Sequence, residues 1–111
     1  MDKILGFAVL LTVCASAMLA QAPDAARGKQ LFVKDGCYEC HGTMGQGGTG
    51  PRLAPRPISL PALMAYVRKP SGNMPPYTSK VMTDAELADV RAYLASLPAP
   101  PALKSIPQLN Q

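Results

Sequence analysis

The chain has 111 residues, enough for one domain that can bury only a small apolar core. Its formal net charge is +4, and it lacks the Lys/Arg blocks that are typical of nucleic-acid binding. Twelve prolines and nine glycines exclude a chain made mostly of regular structure. Because the core is small, a domain of this kind is expected to need a cross-link or a bound group for stability.

Residues 1–20 have the features of a secretory signal peptide. Lys3 gives a positive start, and the apolar run that follows is too short for a comfortable membrane span. Small residues come next, so cleavage is expected after Ala20 or Ala22. Two alternatives stay open: an uncleaved N-terminal anchor, and a lipoprotein signal with the lipid on Cys14. Export would place the mature chain in the periplasm, and membrane association would need an uncleaved or lipidated N-terminus.

The mature domain is predicted to cover residues 24–97. Its first helix is predicted from Asp24 to Lys34. Asp24 can accept hydrogen bonds from the free amides of the first turn. Leu31 and Phe32 supply apolar contacts. Gly28 in the helix interior costs about 1 kcal/mol relative to alanine, which suggests that another element approaches closely there.

A Cys-x-x-Cys-His motif follows this helix directly, at Cys37, Cys40 and His41. Residues three and four apart share one face of a helical turn, so two thiols and an imidazole can face the same flat ring. The motif is typical of covalent haem c attachment, in which the thiols bond to the ring and the imidazole binds the iron. His41 is the only histidine, which excludes a bis-histidine site within one chain.

Two other interpretations of this motif stay open. A dithiol redox pair is expected beside a βαβ pattern, which the sequence does not show. A tetrahedral zinc site needs four ligands, and signal cleavage would leave only Cys37, Cys40 and His41 as strong candidates.

The rest of the chain alternates between loops and helices. Residues 42–57 are predicted to be loop, because glycines interrupt them and prolines stiffen their second half. A second helix is predicted from Ser59 to Lys69, with apolar residues at helical spacing. A third begins at the capping box Thr83-Asp84-Ala85-Glu86 and runs to Leu97. The proline-rich tail, residues 98–111, is expected to be extended or disordered.

A second axial ligand would come from a methionine. Met74 precedes two prolines, which restrict its loop and would hold the thioether at a fixed distance from an iron. The other methionines of the mature chain (Met44, Met64 and Met82) and an open site are the alternatives. A Met/His pair raises the haem potential relative to two imidazoles. With both axial positions filled, no position is left for a substrate, so the chemistry would be outer-sphere electron transfer.

Together these features resemble a class I c-type cytochrome, a small exported electron carrier. The resemblance covers residues 24–97 and rests on four segments: Arg27-Gly28-Lys29-Gln30-Leu31-Phe32, Gly50-Pro51-x-Leu53, Met74-Pro75-Pro76-Tyr77 and the last helix. It implies an all-α cytochrome c fold, with about three main helices and loops wrapped around one covalent haem c. It also implies an electron carrier rather than an enzyme. Its partners would be redox proteins, such as a dehydrogenase or an oxidase, and not nucleic acid.

The resemblance further implies roles for single residues. The Pro51 carbonyl would accept the Nδ1 proton of His41. Gly28 and Phe32 would pack against the last helix near Tyr93. The haem pocket would be lined by apolar side chains, those of Leu53, Leu63, Val67 and Leu94. The haem propionates would be held by polar side chains, with Arg52, Arg56 and Tyr66 as candidates.

Two other functions stay open. A haem sensor or peroxidase-like protein with a labile sixth ligand would need a distal polar group, and the chain has no second histidine. A dithiol oxidoreductase would use Cys37 and Cys40 as free thiols.

Overall fold

The computed structural model describes residues 21–110, so the predictions made for residues 1–20 lie outside the described range. Within that range all regular structure is helical, which confirms the predicted fold class. None of the described helices is long and apolar enough to cross a membrane. The α-helices are α1 (Ala25–Lys34), α2 (Cys37–His41), α3 (Leu60–Arg68) and α4 (Asp84–Ser96).

Helix α1 begins as predicted because Asp24 caps it. Its carboxylate accepts hydrogen bonds from the amides of Ala26 at 2.9 Å and Arg27 at 3.1 Å. The helix ends at Lys34, and Gly36 then adopts a left-handed conformation with φ of 77°. Glycine reaches this conformation without a steric penalty, so the chain can turn directly into α2.

Helices α1 and α4 pack closely on each other. A Cβ atom on Gly28 would overlap the backbone carbonyl of Asp89, so only glycine allows this approach. One turn later, Phe32 is fully buried, and its ring centroid lies 5.6 Å from that of Tyr93. The expected packing of Gly28 and Phe32 against the last helix is confirmed.

Local side-chain caps also fix the starts of α3 and α4. The Ser59 hydroxyl accepts a hydrogen bond from the Ala62 amide at 3.4 Å. At α4 the Glu86 amide donates to Thr83 Oγ1 at 3.2 Å, while the Thr83 amide donates to the Glu86 carboxylate at 2.8 Å. The predicted capping box is therefore present, and each helix lies within a residue or two of its predicted bounds.

The core is small and lies where α1, α3 and α4 meet. Ten hydrophobic side chains of the described residues are buried in it: Leu31, Phe32, Ala54, Leu63, Val67, Met82, Leu87, Val90, Tyr93 and Leu94. Further side chains pack against its edge while keeping some exposure, namely Cys37, Tyr38, Leu53, Met64, Met74, Tyr77 and Leu97. This edge holds a cysteine of the motif and the proposed methionine ligand.

The proline-rich tail contains short local turns. Two single turns of 3₁₀-helix cover Leu103–Ser105 and Pro107–Leu109. The Asn110 side-chain amide donates to the carbonyl of Lys104 at 2.8 Å and to that of Ile106 at 3.1 Å. These local bonds to backbone groups, rather than packing against the core, shape the segment.

Candidate functional site

Helix α2 is one short turn that carries Cys37, Cys40 and His41. Its start is fixed by Gly36, whose carbonyl accepts a hydrogen bond from the Glu39 amide at 3.1 Å. The two cysteines do not form a disulfide. Cys37 packs partly buried against the core and Cys40 is exposed. Two free thiols and one imidazole on the same turn are the groups that haem c attachment requires.

The imidazole of His41 is buried, with 8% of the residue exposed, and its Nδ1 atom lies 2.8 Å from the carbonyl oxygen of Pro51. Because a carbonyl oxygen can only accept, Nδ1 must carry the proton of this hydrogen bond. In the neutral ring Nε2 then keeps its lone pair and can bind a metal ion. The expected hydrogen bond between His41 and Pro51 is present.

The glycine-rich loop after α2 presses against the same turn. The Gly47 amide donates to the His41 carbonyl at 2.8 Å, and the Gly50 amide donates to the Cys40 carbonyl at 2.8 Å. A Cβ atom on Gly50 would lie 2.9 Å from ring atoms Cε1 and Nδ1 of His41. Contacts this short are nearly absent between real side chains, so glycine is needed there for the loop to hold the imidazole in place.

The methionines of the described range lie in three different environments. Met82 is 1% exposed and belongs to the core, whereas Met44 is 48% exposed in the glycine loop. Met64 and Met74 both pack partly buried against the edge of the core. Burial therefore separates Met44 and Met82 from the other two without choosing between Met64 and Met74.

Hydrogen bonds from Tyr77 hold the loop that carries Met74. The Tyr77 amide donates to the Val67 carbonyl at 3.0 Å, and its hydroxyl donates to the Asp35 carbonyl at 2.7 Å. Arg68 donates to the Tyr77 carbonyl at 2.9 Å. The Met74 loop is thereby tied both to α3 and to the turn that precedes α2.

The predicted pocket-lining and propionate-binding residues lie in distinct places. The apolar set is in the core or at its edge, with Leu63, Val67 and Leu94 buried and Leu53 partly buried. The two arginines, Arg52 and Arg56, line one cavity of about 430 Å³ together with Ala99 and Pro100. Tyr66 is not among the residues that line it, and its hydroxyl lies 2.9 Å from Ser71 Oγ.

A comparison with protein families identifies the type of domain. The model of the family described as cytochrome c oxidase, cbb3-type, subunit III matches residues 23–94. The chain belongs to this cytochrome family. The matched segment contains the Cys-x-x-Cys-His turn, Pro51 and Met74, and the earlier resemblance to a small class I c-type cytochrome is confirmed. No curated protein and no solved structure matches the chain.

Family membership makes this cytochrome a haem-binding electron-transfer protein. The residues of α2 fit the haem c that the family implies, because both thiols are free and His41 keeps Nε2 available. The whole sequence contains one Cys-x-x-Cys-His motif.

The electrostatics of the cytochrome site disfavour the dithiol alternative. Burial, assisted by the nearby carboxylate of Asp35, raises the pKa of the Cys37 thiol to about 11. Redox-active dithiols instead depend on a lowered thiol pKa, because the thiolate is the nucleophile. Within residues 21–110 no group of three or more His, Cys, Asp or Glu side chains is arranged to hold a metal ion.

Sequence analysis missed two residues of this cytochrome that form long-range contacts. The buried Asp89 carboxylate accepts a hydrogen bond from the Asp24 amide at 2.8 Å, and Arg68 pairs with Asp84 at 2.7 Å. Asp89 precedes a residue of the apolar stripe and Arg68 ends a helix, positions where charged side chains are usually solvated. No local pattern distinguished them.

Proposed function

We propose that this cytochrome carries single electrons between redox proteins in the periplasm, with one haem c attached through Cys37 and Cys40. His41 would bind the iron through Nε2 and Met74 through its thioether sulfur. The observation that supports this most strongly is the hydrogen bond between His41 and Pro51, because it fixes the tautomer that leaves Nε2 available. A bound haem c supplies reversible one-electron chemistry at its iron.

The protein would contribute position and environment to this reaction. The loop around Gly50 prevents the His41 ring from turning, and the Pro51 carbonyl makes it a better electron donor. Apolar side chains in the core and at its edge would exclude water from the pocket: Leu63, Val67 and Leu94 in the core, and Leu53 at its edge. Of the candidates for the propionates, Arg52 and Arg56 share a cavity, whereas Tyr66 is already bonded to Ser71.

The partner would be another redox protein. The family description names an oxidase subunit, which supports an oxidase as the electron acceptor, either free or in a stable assembly. A dehydrogenase that uses the domain as its cytochrome subunit is the alternative. The net charge of +4 would favour encounter with an acidic surface. The predicted signal at residues 1–20 supports the periplasmic location.

The test of haem attachment is the intact mass of the full chain expressed in a host with machinery for c-type haem attachment. We expect the exported product to have lost its first 20 or 22 residues and gained one haem. The Cys37→Ala, Cys40→Ala double variant should be exported without haem. A colourless wild-type product with two reactive thiols would overturn the proposal.

The test of the sixth ligand compares two methionines with similar burial. Met74→Ala should keep the covalent haem but lose the weak long-wavelength band of Met–iron ligation in the ferric protein. Met64→Ala, the matched control, should keep that band. The reverse result would assign Met64 as the ligand. Rapid carbon monoxide binding to the reduced wild-type protein would instead favour the haem sensor.

A further inference from the structure

We propose that Arg68 is a positioning residue that keeps Met74 on the iron by holding the backbone of the Met74 loop. This inference rests on the proposed function, because it assumes that Met74 is the sixth ligand. Arg68 does not bind the iron itself in this proposal; it acts through the carbonyl oxygen of Tyr77.

Arg68 joins three elements at one point. It is the last residue of α3, its Nη1 atom donates to the Tyr77 carbonyl at 2.9 Å, and its Nη2 atom donates to Asp84 Oδ1 at 2.7 Å. Asp84 is the first residue of α4. The side chain is 24% exposed, and hydrogen bonds from a charged, planar guanidinium are stronger and better oriented than neutral ones. The Met74 loop is thus fastened between two helices.

Tyr77 links the hydrogen bond from Arg68 to the position of Met74. Its amide, carbonyl and hydroxyl are bonded to Val67, Arg68 and Asp35 respectively, so its position is fixed from three directions. Only two prolines separate Tyr77 from Met74. Prolines have a fixed φ and restrict the residue before them, so little freedom remains between the fastened residue and the thioether.

A second arginine provides a matched control. Arg91 of α4 also reaches from a helix to a loop carbonyl, donating from Nε to Ile58 at 2.7 Å. Ile58 lies before α3, and Arg91 forms no hydrogen bond to the Met74 loop among the described residues. Removing either arginine deletes a charged hydrogen bond to a loop, but only Arg68→Ala loosens the segment that carries Met74.

The experiment measures how readily Met74 leaves the iron. Cyanide binds to the ferric, haem-loaded protein only after the methionine dissociates, so its binding rate reports that opening. Deleting one charged hydrogen bond corresponds to about tenfold in an equilibrium, so Arg68→Ala should bind cyanide about tenfold faster than wild type. Arg91→Ala should bind cyanide at the wild-type rate.

The outcomes distinguish a specific effect of Arg68 on Met74 from a general loss of stability of the domain. A wild-type rate in Arg68→Ala, or an equal acceleration in Arg91→Ala, would overturn the proposal. Arg68→Lys keeps a charge near Asp84 without the planar fork and should show an intermediate rate. If Arg68→Ala does not fold, a wild-type rate in Arg68→Lys overturns the proposal equally.

The ferric spectrum separates failure of this proposal from failure of the proposed function. A wild-type protein without the Met–iron band would overturn both, since Met74 would not be the ligand. A wild-type protein with that band whose Arg68→Ala variant binds cyanide no faster would overturn only the role of Arg68.

Discussion

Gly28 of α1 lies directly against the backbone of Asp89 in α4. This close approach lets the Asp24 amide, one turn earlier, donate to the Asp89 carboxylate at 2.8 Å. One turn later it brings the rings of Phe32 and Tyr93 to a centroid distance of 5.6 Å. The N-terminal helix is therefore docked on α4 at three successive levels, and the missing side chain at Gly28 is what makes all three possible.

We first predict that Gly28→Ala lowers the free energy of unfolding of the haem-loaded protein by about 1–3 kcal/mol, because the new methyl group must push α1 away from α4. Helix propensity alone would raise it by about 1 kcal/mol, so the sign of the change is decisive. Urea unfolding monitored by circular dichroism measures it. Gln30→Ala, at an exposed position of the same helix, should change stability by less than about 0.5 kcal/mol.

A second prediction concerns the hydroxyl of Tyr93, which donates to the Thr43 carbonyl at 2.9 Å and so ties α4 to the loop after α2. Tyr93→Phe keeps the ring packed on Phe32 and should reduce stability by about 1 kcal/mol. Tyr38 is partly buried against the same core. The hydrogen bonds of tyrosine hydroxyls among the described residues come from Tyr66, Tyr77 and Tyr93, so Tyr38→Phe is the control. Equal losses in both variants would contradict the assigned bond.

The third prediction tests the loop that holds His41. Gly50→Ala would place a methyl group 2.9 Å from the imidazole, so we expect the ring to shift and its bond to Pro51 to weaken. With His41 as the proposed iron ligand, a weaker bond would make its imidazole a poorer electron donor, and the reduction potential should rise. Redox titration of the haem-loaded variant measures the change. Thr49→Ala, at the exposed neighbouring residue, should leave the potential unaltered.

A fourth prediction concerns acid. The hydrogen bond from the Thr83 amide lowers the pKa of Glu86 below its usual value of 4.5. The stabilisation from ionised Glu86 is therefore present above the unfolded-state pKa and is lost as the pH falls through the lower folded-state pKa. Glu86→Gln should cost about 0.3–1 kcal/mol at neutral pH. Urea unfolding at several pH values should show this difference disappearing in acid, and a difference that persists there would argue against an ionic contribution.

The fifth prediction concerns removal of the haem. With ten buried hydrophobic residues in the described range, the core is small for a stable domain. A Cys37→Ala, Cys40→Ala variant should be largely unfolded, because the covalently held group binds the native state and would fill the pocket. Circular dichroism should show little helix, whereas a cooperative thermal transition would count against a structural role for the haem.

Sequence reasoning predicted the helices of this domain well because each one begins with a local signal. Asp24, Ser59 and the Thr83–Glu86 box form the expected caps within one turn of the chain. The bond between His41 and Pro51 was also predictable, since the family motif places both residues. The helix caps depend on residues that are close in sequence, and the bond between His41 and Pro51 depends on the motif of the family.

The contacts that were not predicted connect distant segments through single polar atoms. The Tyr77 hydroxyl reaches Asp35 across 42 positions, and Arg68 reaches Asp84 across 16. Tyr77 and Arg68 are not part of a periodic apolar pattern in the sequence. Only the packing of the helices therefore shows which residues they contact. The hydrogen bonds from the Asn110 side chain to the carbonyls of Lys104 and Ile106 were likewise not predicted, because no local sequence pattern indicates them.

The hydrogen bonds that the Gly47 and Gly50 amides donate to the end of α2 affect how the domain opens. A loop bonded to the last carbonyls of a one-turn helix stabilises that helix, so we expect both to form a single cooperative unit in deuterium exchange. A local opening that frees the His41 imidazole, the proposed iron ligand, would then need the whole glycine segment to move away at once. Under the proposed ligation, loss of His41 from the iron should consequently be a much rarer event than loss of Met74.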